Sequence, residues 1–189
     1  VYKRQVEVSL LESILDLQFE VTSTFLNDGG RAPERSAINN GHAYLGAPYG
    51  IYATADGYLA LAMGSIPKLG ELLDLPALAA YAEPGTWFTQ RDEIKRHLAA
   101  HLRTQPTAHW LGRLEPADYW CAKVFSWAEL WASDAFQALD FEQTVVRDDG
   151  PALRTTRCPI RIDGQIFKAP RGAPRVGQHT TAIQTEFSL

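Results

Sequence analysis

The sequence predicts an α+β fold, and three observations carry that expectation. Two short alternating runs, 51–54 and 58–62, flank Ala55-Asp56-Gly57 and read as a β-hairpin. Behind the hairpin, apolar residues recur at helical spacing, with Ile94, Leu98 and Leu102 forming one row. The stretches before and after 48–122 hold too few elements to build a layer of their own, so the hairpin and its helices stand as one small domain.

Each element has a local reason. Val6, Glu7 and Val8 read as a short strand, and Ser9-x-x-Glu12 is a capping-box pattern that opens a helix. Leu10, Ile14, Leu17 and Val21 make its stripe, widened by Leu11 and Leu15; Asn27-Asp28-Gly29-Gly30 stops it near Leu26. A stretch rich in Gly, Asn, Arg and Pro then runs to Gly46, a linker or active-site loop anchored by Ile38, Tyr44 and Leu45. In the hairpin turn, glycine can take positive φ and Asp56 can bond its own backbone.

Pro67 suits the first turn of a helix over 67–75, and Pro76 and Pro84 punctuate the stretch from 75 to 87. Thr89-x-x-Asp92 reads as the start of the helix bearing Ile94, Leu98 and Leu102. Pro106-Thr107 starts another, to about Glu115, with Trp110, Leu111 and Leu114 facing inward. Residues 120–124 read as a strand, Ser126 to Glu129 as a second capping box, and 133–139 as a short helix. Residues 142–147 and 153–157 pair around Asp148-Asp149-Gly150, and 180–187 form a last helix.

Composition narrows the function classes. The chain has 189 residues, 46% of them hydrophobic, enough for one core or two small ones. A net charge of −4 gives no electrostatic footprint for nucleic acid or an anionic membrane. No apolar run approaches the roughly 20 residues of a membrane-spanning helix. Cys121 and Cys158 are far apart and are expected to be buried reduced thiols, which fits a cytoplasmic enzyme.

Most chemically suggestive residues have a plainer reading. His97 and His101 have metal-ligand spacing, but His-Leu-Ala-Ala-His lacks both the general-base Glu and a further ligand; they are expected to be exposed, and metal is rejected. Cys121 lies among apolar neighbours that raise a thiol pKa, so a core role is expected. Ser65 lacks the second glycine of a nucleophile elbow. The five tryptophans lack a basic groove for base stacking; Trp127 and Trp131, four apart, are expected to pack a helix. Asp16 on a polar helix side and Asp28 in a turn read as solvated carboxylates. One loop stands out: Asn39-Asn40-Gly41-His42-Ala43-Tyr44 combines glycine with donors able to hold a carboxylate or an oxyanion.

Several phrases together resemble one family. These are Tyr49-Gly50-Ile51-Tyr52 with Asp56-Gly57-Tyr58-Leu59, the Val6 to Ser13 segment, Trp120-Cys121-Ala122-Lys123-Val124 with Glu129-Leu130, Arg157-Cys158-Pro159-Ile160, and Ala173 to Thr180. Taken in their order along the chain they resemble the family III CoA-transferases. The resemblance implies an α+β small domain inserted between pieces of a truncated Rossmann-like α/β large domain. It divides the chain into the end of the first large-domain part (6–26), a linker (27–47), the small domain (48–122) and the return to the large domain (123–189). It also implies an interlocked homodimer, acyl-CoA and a carboxylic acid as substrates, and no permanently bound cofactor. The expected substrate-contacting residues are Asn40, Gly41, His42 and Tyr44, in the region of a mobile glycine-rich loop, with Leu10 lining the cleft. Only Gly41 and Gly46 stand where some members have consecutive glycines.

The family's nucleophilic Asp and CoA cradle are expected upstream of this chain, which then acts only as part of a longer enzyme. Val1-Tyr2-Lys3-Arg4-Gln5, without an initiator Met, resembles a translated sequencing-adapter end and is expected to be a non-native leader. The expectations to separate are a CoA-transferase, an acyl-CoA racemase or epimerase of the same superfamily, and a non-catalytic interaction module.

Overall fold

The computed structural model describes residues 7–39, 41–147, 150–169 and 171–189. The chain divides into two units, Val1–Val124 and Phe125–Leu189.

In the first unit, Ser9 caps helix α1 (Leu10–Leu17), its hydroxyl accepting the Glu12 N–H at 3.1 Å and donating to the Glu12 carboxylate. The single long helix expected to Leu26 is instead broken at Gln18, where the backbone turns (φ −102°, ψ 17°) before α2 (Phe19–Asn27). Neither helix buries a residue, so no packed face holds the Gln18 turn in α geometry. The strand expected at 6–8 is irregular chain at Glu7 and Val8, while Val6 lies outside the described residues.

Strands β1 (Gly50–Ala53), β2 (Tyr58–Leu61) and β3 (Cys121–Lys123) form an antiparallel sheet in that order. The register pairs Tyr52 with Leu59 and Leu61 with Cys121; Tyr52, Leu59 and Leu61 are buried on one face. The other face carries Ile51, Ala60 and Ala122 in a row. The turn differs from expectation: none of Ala55, Asp56 and Gly57 takes positive φ. Asp56 also reaches across to cap a helix, its carboxylate accepting the Thr107 N–H at 2.8 Å and the Thr107 hydroxyl at 3.0 Å. These bonds hold the Asp56 carboxyl below its ordinary range.

Helices α3 (Ile66–Leu73), α4 (Thr86–Thr89), α5 (Arg91–Leu102) and α6 (Thr107–Leu114), with a 3₁₀ turn at Pro76–Ala80, cover the sheet's buried face. The core joins Tyr52, Leu59, Ile66, Leu69, Ile94, Leu98, Leu102, Trp110 and Leu114. Two buried polar atoms find backbone partners: the Tyr52 hydroxyl donates to Pro48 O at 2.6 Å, and Trp110 Nε1 to Leu102 O at 2.8 Å. Leu111 is only half-buried.

Thr89 does not start α5; it ends α4, its hydroxyl donating back to Gly85 O. Asp92 is spent elsewhere, accepting from the Ser36 hydroxyl at 2.6 Å and the Ala37 N–H at 3.1 Å, which keeps its carboxyl below the usual range. His97 and His101 are half-buried rather than exposed. His101 Nε2 lies 2.8 Å from Leu73 O and its ring 5.1 Å from that of Trp110.

In the second unit, Ser126 and Glu129 form a reciprocal capping box for α7 (Trp127–Ala132), and α8 (Asp134–Ala138) follows. Trp131 stacks on Phe136 with ring centroids 4.4 Å apart, while Trp127 is exposed. Strands β4 (Glu142–Val146) and β5 (Ala152–Thr156) pair antiparallel, as the sequence predicts; Asp148 and Asp149 lie outside the described residues. Buried Arg157 donates to the carbonyls of Leu139, Asp140 and Cys158, closing the end of α8. Cys158 is exposed, contrary to the expectation of two buried thiols. A minimal hairpin of β6 (Arg161–Ile162) and β7 (Gln165–Ile166) turns on Asp163 and Gly164, both at positive φ, and α9 (Thr180–Phe187) ends the chain. The sequence reading passed over this hairpin, although its Asp-Gly pair is a turn signal. Among the described residues no helix is long and apolar enough to cross a membrane.

Candidate functional site

The linker before the sheet is tied down at two places. Asp92 holds Ser36 and Ala37, and the Arg91 guanidinium donates to Glu34 O at 2.8 Å and Ala43 O at 3.4 Å. Its glycine segment then lies flat on the sheet's entry. A Cβ built on Gly41 would sit 2.6 Å from Tyr49 Cδ1, and one on Gly50 would overlap Asn39 O. The Tyr49 ring beside Gly41 and the Asn39 carbonyl beside Gly50, not a left-handed conformation, are what demand glycine at the two positions.

The structure brings His42 and Tyr44 together and spends their polar atoms within the chain. His42 Nδ1 accepts the Tyr44 N–H at 3.2 Å, which places the ring proton on Nε2, 3.7 Å from the Glu20 carboxylate. The His42 ring lies 6.3 Å from that of Tyr49, and the Tyr44 hydroxyl reaches Arg31 O at 3.5 Å. Asn40 lies outside the described residues. Leu10, at the first position of α1, is 85% exposed.

Gly41 does border a cavity that the sequence reading missed. A trough of about 650 Å³ lies over the outer face of the three-stranded sheet. Ala60, Ala62 and Ala122 form its floor, and Tyr49, Ile51 and Trp120 its apolar walls. Cys121 lies at its edge, the thiol pKa raised by partial burial and by the charge of Glu115. Tyr119 lines it too, its phenol pKa pushed up by burial. The sequence signal was present in the alternation of β2, where Ala60 and Ala62 fall on the face opposite Leu59 and Leu61. Among the described residues the trough's lining holds no histidine and no activated nucleophile, so these residues can bind an acyl group but not attack it. Among the described residues no group of three or more His, Cys, Asp or Glu side chains is placed to hold a metal.

Comparison with known proteins decides the family. The model of "CoA-transferase family III" matches residues 3–180. The chain belongs to CoA-transferase family III. A curated member, the succinate–glutarate CoA-transferase of Agrobacterium fabrum (strain C58), is 24% identical over 164 residues, covering 84% of this chain and 40% of its own length. The chain thus spans well under half of that relative. Two solved structures share the fold. A mutant of the Mycobacterium tuberculosis protein Rv3272 superposes with a TM-score of 0.65 at 19% identity, over 93% of this chain and 45% of that one. A CaiB/BaiF family protein of Brucella suis gives 0.60 at 20% identity, over 97% and 48%. As a family III chain, this one fits an α+β small domain with short antiparallel sheets.

Proposed function

We propose that this chain is the substrate-contacting part of a CoA-transferase that moves CoA from an acyl-CoA thioester to a carboxylic acid. Family membership over residues 3–180 carries the reading. An apolar trough bordered by the Gly41 loop supports it, because acyl exchange needs a surface that shields the reacting acyl group from water. The nucleophile is an aspartate outside this chain, consistent with the chain spanning 40% of its curated relative.

The aspartate carboxylate attacks the thioester carbonyl, giving a mixed anhydride and CoA thiolate. The thiolate attacks the aspartyl carbonyl, releasing the first acid and leaving an aspartyl-CoA thioester. The acceptor carboxylate displaces the thiolate by forming a second anhydride, and thiolate attack on its acyl carbon yields the new thioester and free aspartate. In this scheme the residues around Gly41, His42 and Tyr44 close the acyl side, and an interlocked homodimer in the cytoplasm completes the enzyme.

The test is hydroxylamine trapping with mass spectrometry of the enzyme carrying this chain, given acyl-CoA and a carboxylic acid. The expected result is an aspartyl hydroxamate together with CoA transfer. Exchange of the α-proton in heavy water without CoA transfer would indicate a racemase instead. Neither reaction would leave an interaction module.

A further inference from the structure

Resting on the transferase reading, we propose that the trough over the outer sheet face receives an apolar acyl chain that carries no second carboxylate. Ile51, Ala60 and Ala122 are register partners, so two small residues beside one large one make a groove across the strands. Ile51 and Trp120 keep 50% and 62% of their surface exposed along it, apolar area that a methylene chain would cover. Its volume, about 650 Å³, lies within the roughly 300–1,000 Å³ of small-molecule pockets.

Charge excludes the alternative acyl class. Among the described residues Glu115 and Asp118 line the trough, and no Lys, Arg or His does. The neighbouring cations are committed or face elsewhere. Arg113 is paired with Asp74, Lys123 aligns with Leu59 on the opposite sheet face, and His42 Nε2 points to Glu20. A second carboxylate entering here would lose hydration, find no cation and meet two like charges. The Agrobacterium fabrum relative is named for two dicarboxylic acids; this trough offers nothing to pair with the far end of such a molecule.

The test is a competition between octanoyl-CoA and glutaryl-CoA as donors to a common acceptor, using the enzyme that carries this chain. Octanoyl-CoA should win in kcat/KM by about tenfold or more. Ala60→Trp, which fills the groove, should cut the octanoyl-to-acetyl kcat/KM ratio by about tenfold, whereas Glu115→Gln with Asp118→Asn should narrow the gap to glutaryl-CoA. A preference for glutaryl-CoA, or an Ala60→Trp effect equal on both chain lengths, overturns the proposal while leaving the transferase reading intact. Turnover of no donor overturns the transferase reading, and fluorescence of this chain then decides the trough. A saturable signal with octanoate but not glutarate, lost in Trp120→Phe, supports the proposal; no such signal, or the reverse, overturns it.

Discussion

Helices α1 and α5 carry the same kind of apolar row and end in opposite surroundings. Ile94, Leu98 and Leu102 on α5 are fully buried, whereas Leu10, Ile14 and Leu17 on α1 are 85%, 54% and 85% exposed. The α5 row meets the sheet face of Tyr52 and Leu59 and the residues around Leu78. The α1 row finds no covering element among the described residues. A helical apolar period therefore records that a face is suited to contact, and says nothing about where the complement lies. Of these two helices, only α5 meets its complement among the described residues.

The strongest way to break this contrast is to truncate the buried row. Leu98→Ala should cost about 2–5 kcal/mol, read as a lowered unfolding midpoint of the first unit, because a cavity replaces a fully packed side chain. A loss under 1 kcal/mol would mean that α5 is no better held than α1.

Lys95 sharpens the comparison from within the buried helix. It is wholly buried beside Ile94, and its Nζ has no hydrogen-bond partner among the described residues. Burial, then the nearby Arg91, lowers its pKa. Between the lowered folded value and the ordinary value near 10.4, the unfolded chain binds more protons, so stability should rise with pH through that window. Lys95→Met should add about 1–3 kcal/mol at neutral pH and flatten that rise, measured by urea unfolding at several pH values. An unchanged slope would place an acceptor at the ammonium.

The sequence was most legible where both partners of a contact are local. The hairpin of β1 and β2, the Ser126 capping box and the β4–β5 pairing each need only a few neighbouring residues to specify them. Residues with distant partners were misjudged. Thr89-x-x-Asp92 has the pattern of a cap, but Asp92 serves Ser36 from the linker. His101 looks solvated until the Leu73 carbonyl is brought to it. The candidate site was half legible. The Gly41 loop could be picked out by composition, yet His42 and Tyr44 proved to bond within the chain, and the trough emerged only once β3 was paired beside β2. Lys95 hid because one charged residue in a helical pattern is ordinarily on the water side.

A smaller effect is expected in the second unit, where a surface ion pair is reinforced by an indole. Glu142 accepts from Arg154 Nε and Nη2 and from Trp131 Nε1, and these bonds lower its pKa to about 2. The sign follows from the lowered value: the contribution is complete above the ordinary glutamate range and disappears as pH falls through about 2. Near-ultraviolet circular dichroism of Trp131 should change over that interval. Glu142→Gln should remove the acid-dependent step while the β4–β5 pairing persists at neutral pH. A step that survives the substitution would belong to another carboxylate, such as Asp140 beside Lys168.

The smallest expected change in folding returns to α1. Replacing Leu10, Ile14 and Leu17 together by Gln removes apolar side chains that are more than half exposed, so each should shift unfolding by no more than about 0.5 kcal/mol. What should change is association. A contiguous apolar stripe promotes self-association in water, and the triple variant should scatter less light than the parent at equal concentration. The two readouts separate cleanly, because Leu98→Ala acts on unfolding through a cavity and the α1 variant acts on solubility through an uncovered face. If the triple variant instead unfolds the first unit as severely as Leu98→Ala, the α1 stripe has a partner within this chain in solution, and the contrast between the two helices disappears.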